Sequence, residues 1–344
     1  MTGTEAIASL YRASKLTKYF PVRRGVLRRH VGDVKAVDGV DLEIGRGETV
    51  AVLGESGCGK TTLGRVLARL ERPTSGVLEY DLGQGLEDVT RTSGSDEFAF
   101  RQRVQMIFQD PYTSFNPRQR VGDAIAELLS VHGMDSSEQR ADRITEVCEM
   151  VNIRPEYLQR YPHEFSGGQR QRLSIARGLS VRPELIVADE IVSALDVSIQ
   201  AQVVNILRTV QGETRVSILF ISHDVGVAQY ISRRTMVMYL GKVVEVLNSA
   251  TLHERAEHPY TQALISAVPT MDETARRERI VLRGDVPSPI NKPSGCPFHT
   301  RCSYVMEVCR VEEPLLRAAR DADHLHQVAC HLPEPPAMSP LRRQ

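Results

Sequence analysis

The 344-residue sequence predicts an α/β fold: a mainly parallel sheet with helices around it, a helical subdomain inserted into that core, and a small Cys-containing C-terminal domain. Three observations carry this prediction. Between roughly residues 45 and 245, apolar runs of strand length alternate with segments of helical period. Within that span, residues 121–179 hold no strong strand signal and read as several helices. Past about residue 265 prolines crowd together, and four of the six cysteines lie in the same part of the chain.

The expected strands, in order, are Thr49–Leu53, 104–108, 185–188, 216–222 and 235–240. After the first, Leu63, Val66, Leu67 and Leu70 recur at the i, i+3, i+4, i+7 spacing of a buried helix face. The helices of 121–179 break near 132–135, at Arg154-Pro155 and at Tyr161-Pro162, because a residue preceding proline is pushed out of the helical region. The chain thus divides into a core domain over 8–265, its helical subdomain at about 115–180, and a tail domain over 266–335. Pro269, Pro287, Pro289, Pro293 and Pro297 mark the linker into that tail. Near the start, Arg23, Arg24, Arg28, Arg29 and His30 form a basic cluster among Pro21, Gly25 and Gly32, readable as a solvated loop or as a contact for membrane headgroups.

Composition removes several classes. With 43 Lys and Arg against 43 Asp and Glu, the formal charge is zero, and no whole-chain attraction to nucleic acid or acidic lipid exists. Trp is absent and aromatics make up 5%, which leaves little to stack on unpaired bases. Hydrophobic residues at 41% supply a sizeable core and argue against extended disorder. No stretch approaches the roughly 18 consecutive apolar residues of a membrane span, and residues 1–10 lack the pattern of a secretory signal. A cytosolic chain is expected, in which cysteines are thiols or metal ligands rather than disulfides.

Gly54-Glu-Ser-Gly-Cys-Gly-Lys60-Thr61 fits the phosphate-loop pattern, and it sits between an expected strand and an expected helix, the context that the pattern requires. The core is therefore read as a P-loop NTPase. Gly54, Gly57 and Gly59 let backbone N–H groups turn toward phosphate oxygens, and the following helix adds its positive end. Lys60 neutralises the β and γ phosphates, and Thr61 offers a hydroxyl to Mg²⁺, which prefers oxygen. Glu55, Ser56, Cys58 and Thr62 complete the expected cofactor-binding stretch.

Leu185-Ile-Val-Ala-Asp189-Glu190 is an apolar strand ending in two acids, and a parallel strand delivers such residues to the edge where ligands bind. Successive side chains point in opposite directions, so the two acids take different tasks. Asp189 is expected to hold Mg²⁺ through water, and Glu190 to orient or deprotonate the attacking water. Taken alone, the pair could equally cap a helix.

Phe165-Ser166-Gly167-Gly168-Gln169-Arg170-Gln171-Arg172 resembles the signature sequence of ATP-binding-cassette (ABC) ATPases, with Phe in place of the usual leading Leu. Ser166, Gly167, Gly168 and Gln169 open a helix and form a second anion site. In that family the second site grips the γ phosphate of a nucleotide held by a partner subunit, so the resemblance implies a head-to-tail dimer with ATP between the chains. It also implies roles for further residues. Gln109 matches the loop glutamine that contacts Mg²⁺ and the attacking water, Asp196 the residue that communicates across the dimer, and His223 the histidine that contacts the γ phosphate. Phe20 fits the aromatic that stacks on adenine, with Tyr19 beside it. The chain departs from the family at Ile191, where Pro usually follows the catalytic glutamate.

A narrower resemblance, to ATP-binding subunits of oligopeptide and dipeptide importers, covers nearly the whole chain. It rests on Lys35-Ala-Val-Asp-Gly-Val40, Ser114-Phe-Asn-Pro-Arg118, Val192-Ser-Ala-Leu-Asp-Val-Ser-Ile-Gln200, His258-Pro-Tyr-Thr261 and Gly295-Cys-Pro-Phe-His-Thr-Arg-Cys302. The resemblance implies an ATPase that powers peptide import from the cytoplasmic face of the membrane. Its implied partners are a second, different ATP-binding subunit, two permeases and an extracytoplasmic substrate-binding protein, with no nucleic acid. Importers of nickel or glutathione, and soluble cassette ATPases of translation or DNA repair, are the alternative readings.

Cys296, Cys302, Cys309 and Cys330 have five, six and twenty residues between them, which is not the paired spacing of common zinc sites. Four thiolates suit a 4Fe-4S cluster, and the resemblance implies one, since some close relatives with these tail cysteines carry it. Zinc and free thiols are the alternatives, with His299, His326 and His331 as second-choice ligands.

Overall fold

The computed structural model describes residues 8–25, 29–110, 114–268, 275–276, 279–320, 323, 325–334 and 342–343. Its main strands are β1 (Ser9–Arg24), β2 (Arg29–Gly45), β3 (Thr49–Leu53), β4 (Ser75–Asp81), β5 (Leu86–Asp88), β6 (Val104–Ile107), β7 (Leu185–Asp189), β8 (Ser217–Ile221), β9 (Arg234–Tyr239) and β10 (Lys242–Asn248). They divide between two sheets. The central one runs β6-β7-β8-β3-β9 in parallel, with β10 antiparallel beside β9. Every residue of β3, β7 and β8 is buried, as expected of strands covered on both faces. Each of their large aliphatic side chains contributes roughly 1.5–3 kcal/mol by leaving water.

The second sheet, β2-β1-β4-β5, is antiparallel and was not foreseen from the sequence. β1 and β2 are long but interrupted by bulges, so the alternation that marks a strand never runs far. Two of the basic residues expected in a loop, Arg23 and Arg24, end β1, and Arg29 and His30 begin β2 opposite them, so the cluster decorates the exposed arms of a hairpin. Arg28 lies outside the described residues. Tyr11, Tyr80 and Phe100 pack as an aromatic trio beneath this sheet, with Tyr11–Tyr80 and Tyr80–Phe100 centroids 5.7 and 5.5 Å apart. The Tyr11 hydroxyl donates to the Leu67 carbonyl at 2.8 Å and ties the sheet to the end of the first helix.

The helices are α1 (Lys60–Leu67), α2 (Ser95–Arg103), α3 (Val121–Val131), α4 (Ser137–Met150), α5 (Gly167–Ser180), α6 (Val197–Thr214), α7 (Val225–Ile231), α8 (Leu252–Arg255), α9 (Pro259–Ser266) and α10 (Glu307–Val311). Leu63, Val66 and Leu67 of α1 are buried, but Leu70 is 47% exposed because the helix stops at Leu67 and its period no longer applies. Helices α3, α4 and α5 carry one continuous core from Val121 to Leu179, which joins the face of the central sheet through Ile107, Ile186 and Phe220.

Residues past α9 pack on the β9–β10 end of the central sheet. Phe298 lies against Tyr239 and Tyr260 at 5.3 and 5.4 Å. The short strands Arg317–Ala318 and Gln327–Val328 extend that sheet beyond β10. Glu245 of β10 has no exposed surface, and its carboxylate accepts from the N–H groups of Glu257 and His258 and pairs with the buried His326 ring at 3.0 Å. A buried carboxylate demands this many partners.

His258 caps α9, its Nδ1 accepting the Tyr260 N–H at 3.1 Å, and burial pushes its pKa down to about 3. An unfolded chain protonates this ring near its ordinary value of 6.5 and the folded one does not, so stability falls as the pH drops from about 6.5 toward 3. His258→Asn keeps a capping acceptor, its side-chain oxygen in place of Nδ1, and removes the titration. Calorimetric melting between pH 7 and 4.5, above the range in which carboxylates dominate, should give a smaller loss of Tm in this variant; equal losses would assign the pH dependence elsewhere.

Candidate functional site

The loop between β3 and α1 is shaped by contacts that exclude side chains. A Cβ on Gly54 would collide with the Met238 carbonyl and one on Gly59 with the Ala36 carbonyl, and Gly59 also holds a φ of +108°. The loop is wedged between β9 and the middle of β2, and the Gly241 N–H donates to the Cys58 carbonyl at 2.8 Å to hold it there. Lys60 is 3% exposed and arches over the loop, donating to the Gly54 and Glu55 carbonyls at 2.7 and 3.1 Å. Burial raises the pKa of the Cys58 thiol and keeps it protonated within the loop.

Around the mouth of this loop stand the residues delivered by β7 and β8. Lys60 Nζ lies 3.6 Å from Glu190 Oε1, while Gln109 Nε2 donates to Glu190 Oε2 at 3.4 Å and His223 Nδ1 lies 3.5 Å from the same oxygen. Three groups from three loops thus converge on one carboxylate. Glu190 itself sits at φ +47°, a conformation that non-glycine residues rarely adopt. Its N–H donates to the Ile221 carbonyl, and its own carbonyl accepts from the Ser193 N–H and hydroxyl, so its backbone is fixed although Ile191 replaces proline. Ile191 is buried in the core shared with the helical subdomain.

Asp189 faces the other way. It is buried, and its Oδ1 accepts from the Thr61 hydroxyl at 2.9 Å. Burial raises the Asp189 pKa, the Thr61 hydrogen bond opposes this, and the neighbouring Glu190 charge adds to it. Two hard oxygen donors side by side at the mouth, one of them a carboxylate whose charged form is disfavoured by burial, fit Mg²⁺. Gln109 contacts Glu190 and Ser193, not this pair.

A cavity of about 400 Å³ opens over the loop, lined by Ser56 to Thr62, Gln109, Glu190 and, at its far side, Phe20, Lys35 and Pro289. Phe20 reaches it; Tyr19, the adjacent aromatic, instead donates its hydroxyl to Asp38. Burial alone would raise the Asp38 pKa, but Tyr19, Lys292 and Lys242 outweigh it and hold the carboxylate at about 2. A larger cavity of about 630 Å³ lies at the opposite edge of the sheet. Arg46 and Arg143 in its wall already engage Asp81, Glu184 and Glu146, and none of the expected site residues borders it.

The signature residues stand apart from this cavity. Ser166 caps α5, its Oγ accepting the Gln169 N–H at 3.4 Å while the Gln169 side chain accepts the Ser166 N–H at 3.0 Å. Ser166 is exposed, and Phe165 behind it is buried in the subdomain core, so the aromatic replaces the usual Leu as a packing residue. Asp196 and Val197 at the start of α6 are also exposed, Val197 by 83%.

In the tail, Cys296 and Cys309 are buried and Cys302 and Cys330 half-buried, all as free thiols. Burial first, and then the neighbouring thiols, push Cys296 up to about 12 and Cys302 up to about 11. Among the described residues, no group of three or more His, Cys, Asp or Glu side chains is arranged to hold a metal ion. The second-choice ligands make their hydrogen bonds elsewhere: His299 with the Cys296 carbonyl, His326 with Glu245 and His331 with the Glu312 carbonyl.

Sequence reasoning missed Glu55 as a contact point for the tail. Arg301 grips its carboxylate with both ends of the guanidinium, at 2.7 and 3.1 Å. Residues 246 positions apart carry no local signal of such a pair.

Comparison with known proteins agrees with this geometry. Residues 37–193 match the family described as "ABC transporter", and the chain is an ATP-binding-cassette ATPase. A solved dimer of the cassette MJ0796, in a post-hydrolysis state bound to ADP and Pi, superposes with a TM-score of 0.61 at 25% identity, covering 70% of this chain and 99% of that one. Residues 244–309 match the "Oligopeptide/dipeptide transporter, C-terminal region". The chain is 48% identical to the oligopeptide transport ATP-binding protein AppF of Bacillus subtilis, over 92% of this chain and 94% of that protein. It is 46% identical to the dipeptide transport ATP-binding protein DppF of Haemophilus influenzae, over 91% and 94% respectively. The chain belongs to the ATP-binding subunit family of oligopeptide and dipeptide transporters. Among the described residues, no helix is long and apolar enough to cross a membrane.

Gly59→Ala should abolish nucleotide binding while leaving the helical subdomain folded, because the added methyl group collides with the Ala36 backbone rather than with a movable side chain. Titration with a fluorescent ATP analogue, alongside circular dichroism, checks this; unaltered affinity would mean that the loop can shift without loss.

Proposed function

We propose that this chain hydrolyses ATP to power import of peptides through a membrane complex. The observation that carries the catalytic part is the convergence of Lys60, Gln109 and His223 on the Glu190 carboxylate at the mouth of the phosphate loop. Phosphate-loop N–H groups and Lys60 receive the β and γ phosphates, and Phe20 stacks on the adenine. Thr61 and Asp189 would hold Mg²⁺, which would supply positive charge to offset that of the phosphates. Glu190 accepts the proton of the attacking water, while Gln109 and His223 orient water and γ phosphate. The Ser166-Gly167-Gly168 tip, with Gln169 behind it and Asp196 beside the interface, meets the nucleotide of a second subunit; this is supported by the exposure of Ser166 and by the tip's having no place in the lining of the chain's own cavity.

ATP would close such a pair because each nucleotide bridges two chains, and hydrolysis would remove the bridge. The pairing is with a different ATP-binding subunit, and motion passes to two permeases through the segment 109–118, of which 111–113 lie outside the described residues. Peptide reaches the permeases from an extracytoplasmic binding protein and does not touch this chain, which sits peripherally on the cytoplasmic face of the membrane. The names of the two bacterial relatives, each matched over more than nine-tenths of its length, support peptide cargo over nickel or glutathione and over a role in translation or DNA repair.

The finer reading of the tail, a 4Fe-4S cluster, is supported by donor chemistry alone. The sulfurs of Cys296, Cys302 and Cys330 each accept a backbone N–H two residues onward, from Phe298, Tyr304 and Leu332, an arrangement that favours thiolate. Against it stands the lack of a metal-holding arrangement among the described residues.

Two measurements test these readings. Glu190→Gln should retain Mg-ATP and lose phosphate release by roughly 10²-fold in the assembled complex, the scale of a general base; near-normal release would remove Glu190 from that role. Anaerobic purification should give about four iron and four sulfide per chain if the cluster is right, and absence of both would leave the tail cysteines as thiols.

A further inference from the structure

Two motifs of the C-terminal region have no part in the hydrolysis described above: His258-Pro-Tyr-Thr261 and Gly295-Cys-Pro-Phe-His-Thr-Arg-Cys302. In the fold they meet at one residue of the phosphate loop. Glu55 is held at its N–H by the Tyr260 hydroxyl, which accepts at 2.8 Å, and at its carboxylate by the two-pronged Arg301 guanidinium. Its carbonyl is one of the two to which Lys60 donates, at 3.1 Å beside 2.7 Å for Gly54. Backbone, side chain and the lysine are therefore coupled through a single residue.

The grip is built rather than incidental. The Arg301 side chain is 8% exposed and lies over the Tyr239 ring at 5.9 Å; Tyr260 is fully buried against Tyr239 and Phe298. Both prongs emerge from a packed aromatic cluster and have little freedom to follow a loop that moves. A bidentate guanidinium fixes direction as well as distance, which a lysine at the same place would not.

We propose that Tyr260 and Arg301 are positioning residues of the nucleotide site, setting the arc of the phosphate loop through Glu55, so that the C-terminal region governs ATP affinity. This rests on the ATPase reading given above. Neither residue touches the reacting atoms, so the effect belongs to nucleotide binding and not to the hydrolytic step. The C-terminal region would be an integral part of the ATP site, not an appendage to it.

The test compares the full chain with Arg301→Gln, Arg301→Lys, Glu55→Gln and the Glu55→Gln/Arg301→Gln double variant, using a fluorescent ATP analogue for Kd and phosphate release for kcat and KM. Arg301→Gln should weaken binding roughly tenfold, the scale of losing a charge-assisted pair. Arg301→Lys should restore part of the loss, and kcat at saturating ATP should change less than twofold. The double variant should bind no worse than the weaker single one, since both remove one interaction. Kd within twofold of the parent in Arg301→Gln, or losses that multiply in the double variant, would overturn the proposal. Should Arg301→Gln not fold, Glu55→Gln, whose side chain reaches solvent, carries the same prediction for Kd, and unchanged affinity there is equally fatal. A parent chain that neither binds nor hydrolyses ATP would instead refute the ATPase reading itself.

Discussion

The Glu190 carboxylate, flanked by a lysine, a glutamine and a histidine from separate loops, exists because three parallel strands end at the same level. Val52 of β3 and Asp189 of β7 both stand opposite Ile221 of β8. The residues that follow those ends, Lys60 beyond β3, Glu190 beyond β7 and His223 beyond β8, therefore reach a common point at the carboxyl edge. A shift of one residue in any of these pairings would move a side chain by about 3.3 Å along the edge and turn it to the other face. The buried, uninterrupted apolar character of the strands is what prevents such a slip.

Charge pairs, alongside the apolar cluster around Phe298, join the C-terminal region to this frame. Lys292 reaches Asp38, Arg301 reaches Glu55 and His326 reaches Glu245, each with at least one partner little exposed. Exposed ion pairs contribute little, but pairs enclosed like these specify one docking arrangement, because breaking any of them strands a charge away from water. The linker follows the same path: the Pro289 carbonyl accepts the Lys35 N–H, and Pro289 itself borders the nucleotide cavity.

Much of the ATP site was legible in the sequence because its chemistry is written in contiguous motifs. The glycine pattern from Gly54 to Thr61, the acids after an apolar run and the Ser166 capping box each encode local geometry, and order along the chain links them. The antiparallel sheet was not legible. Its strands are half exposed, broken by bulges at Leu16 and Val22, and rich in charged residues, so they resemble loops. Leu70 misled because periodicity alone does not mark where a helix stops. The tail's motifs are legible in the sequence, but its ion pairs are not, since pairs between distant residues depend on tertiary placement: His326, a second-choice metal ligand by sequence, is the partner of a buried glutamate.

The strand Gln327–Val328 covers the outer side of β10, and the Ala329 N–H donates to the Val244 carbonyl just beyond it. Stripping away the last twenty or so residues would uncover the edge of β10 at Val244, Glu245 and Val246 and leave its backbone groups there without partners, the kind of surface that recruits other chains. Such a shortened polypeptide would also leave Glu245 without its imidazole neighbour. Its insolubility would then say nothing about cysteine chemistry, and cysteine substitutions in the intact chain are the cleaner way to separate scaffold from cofactor.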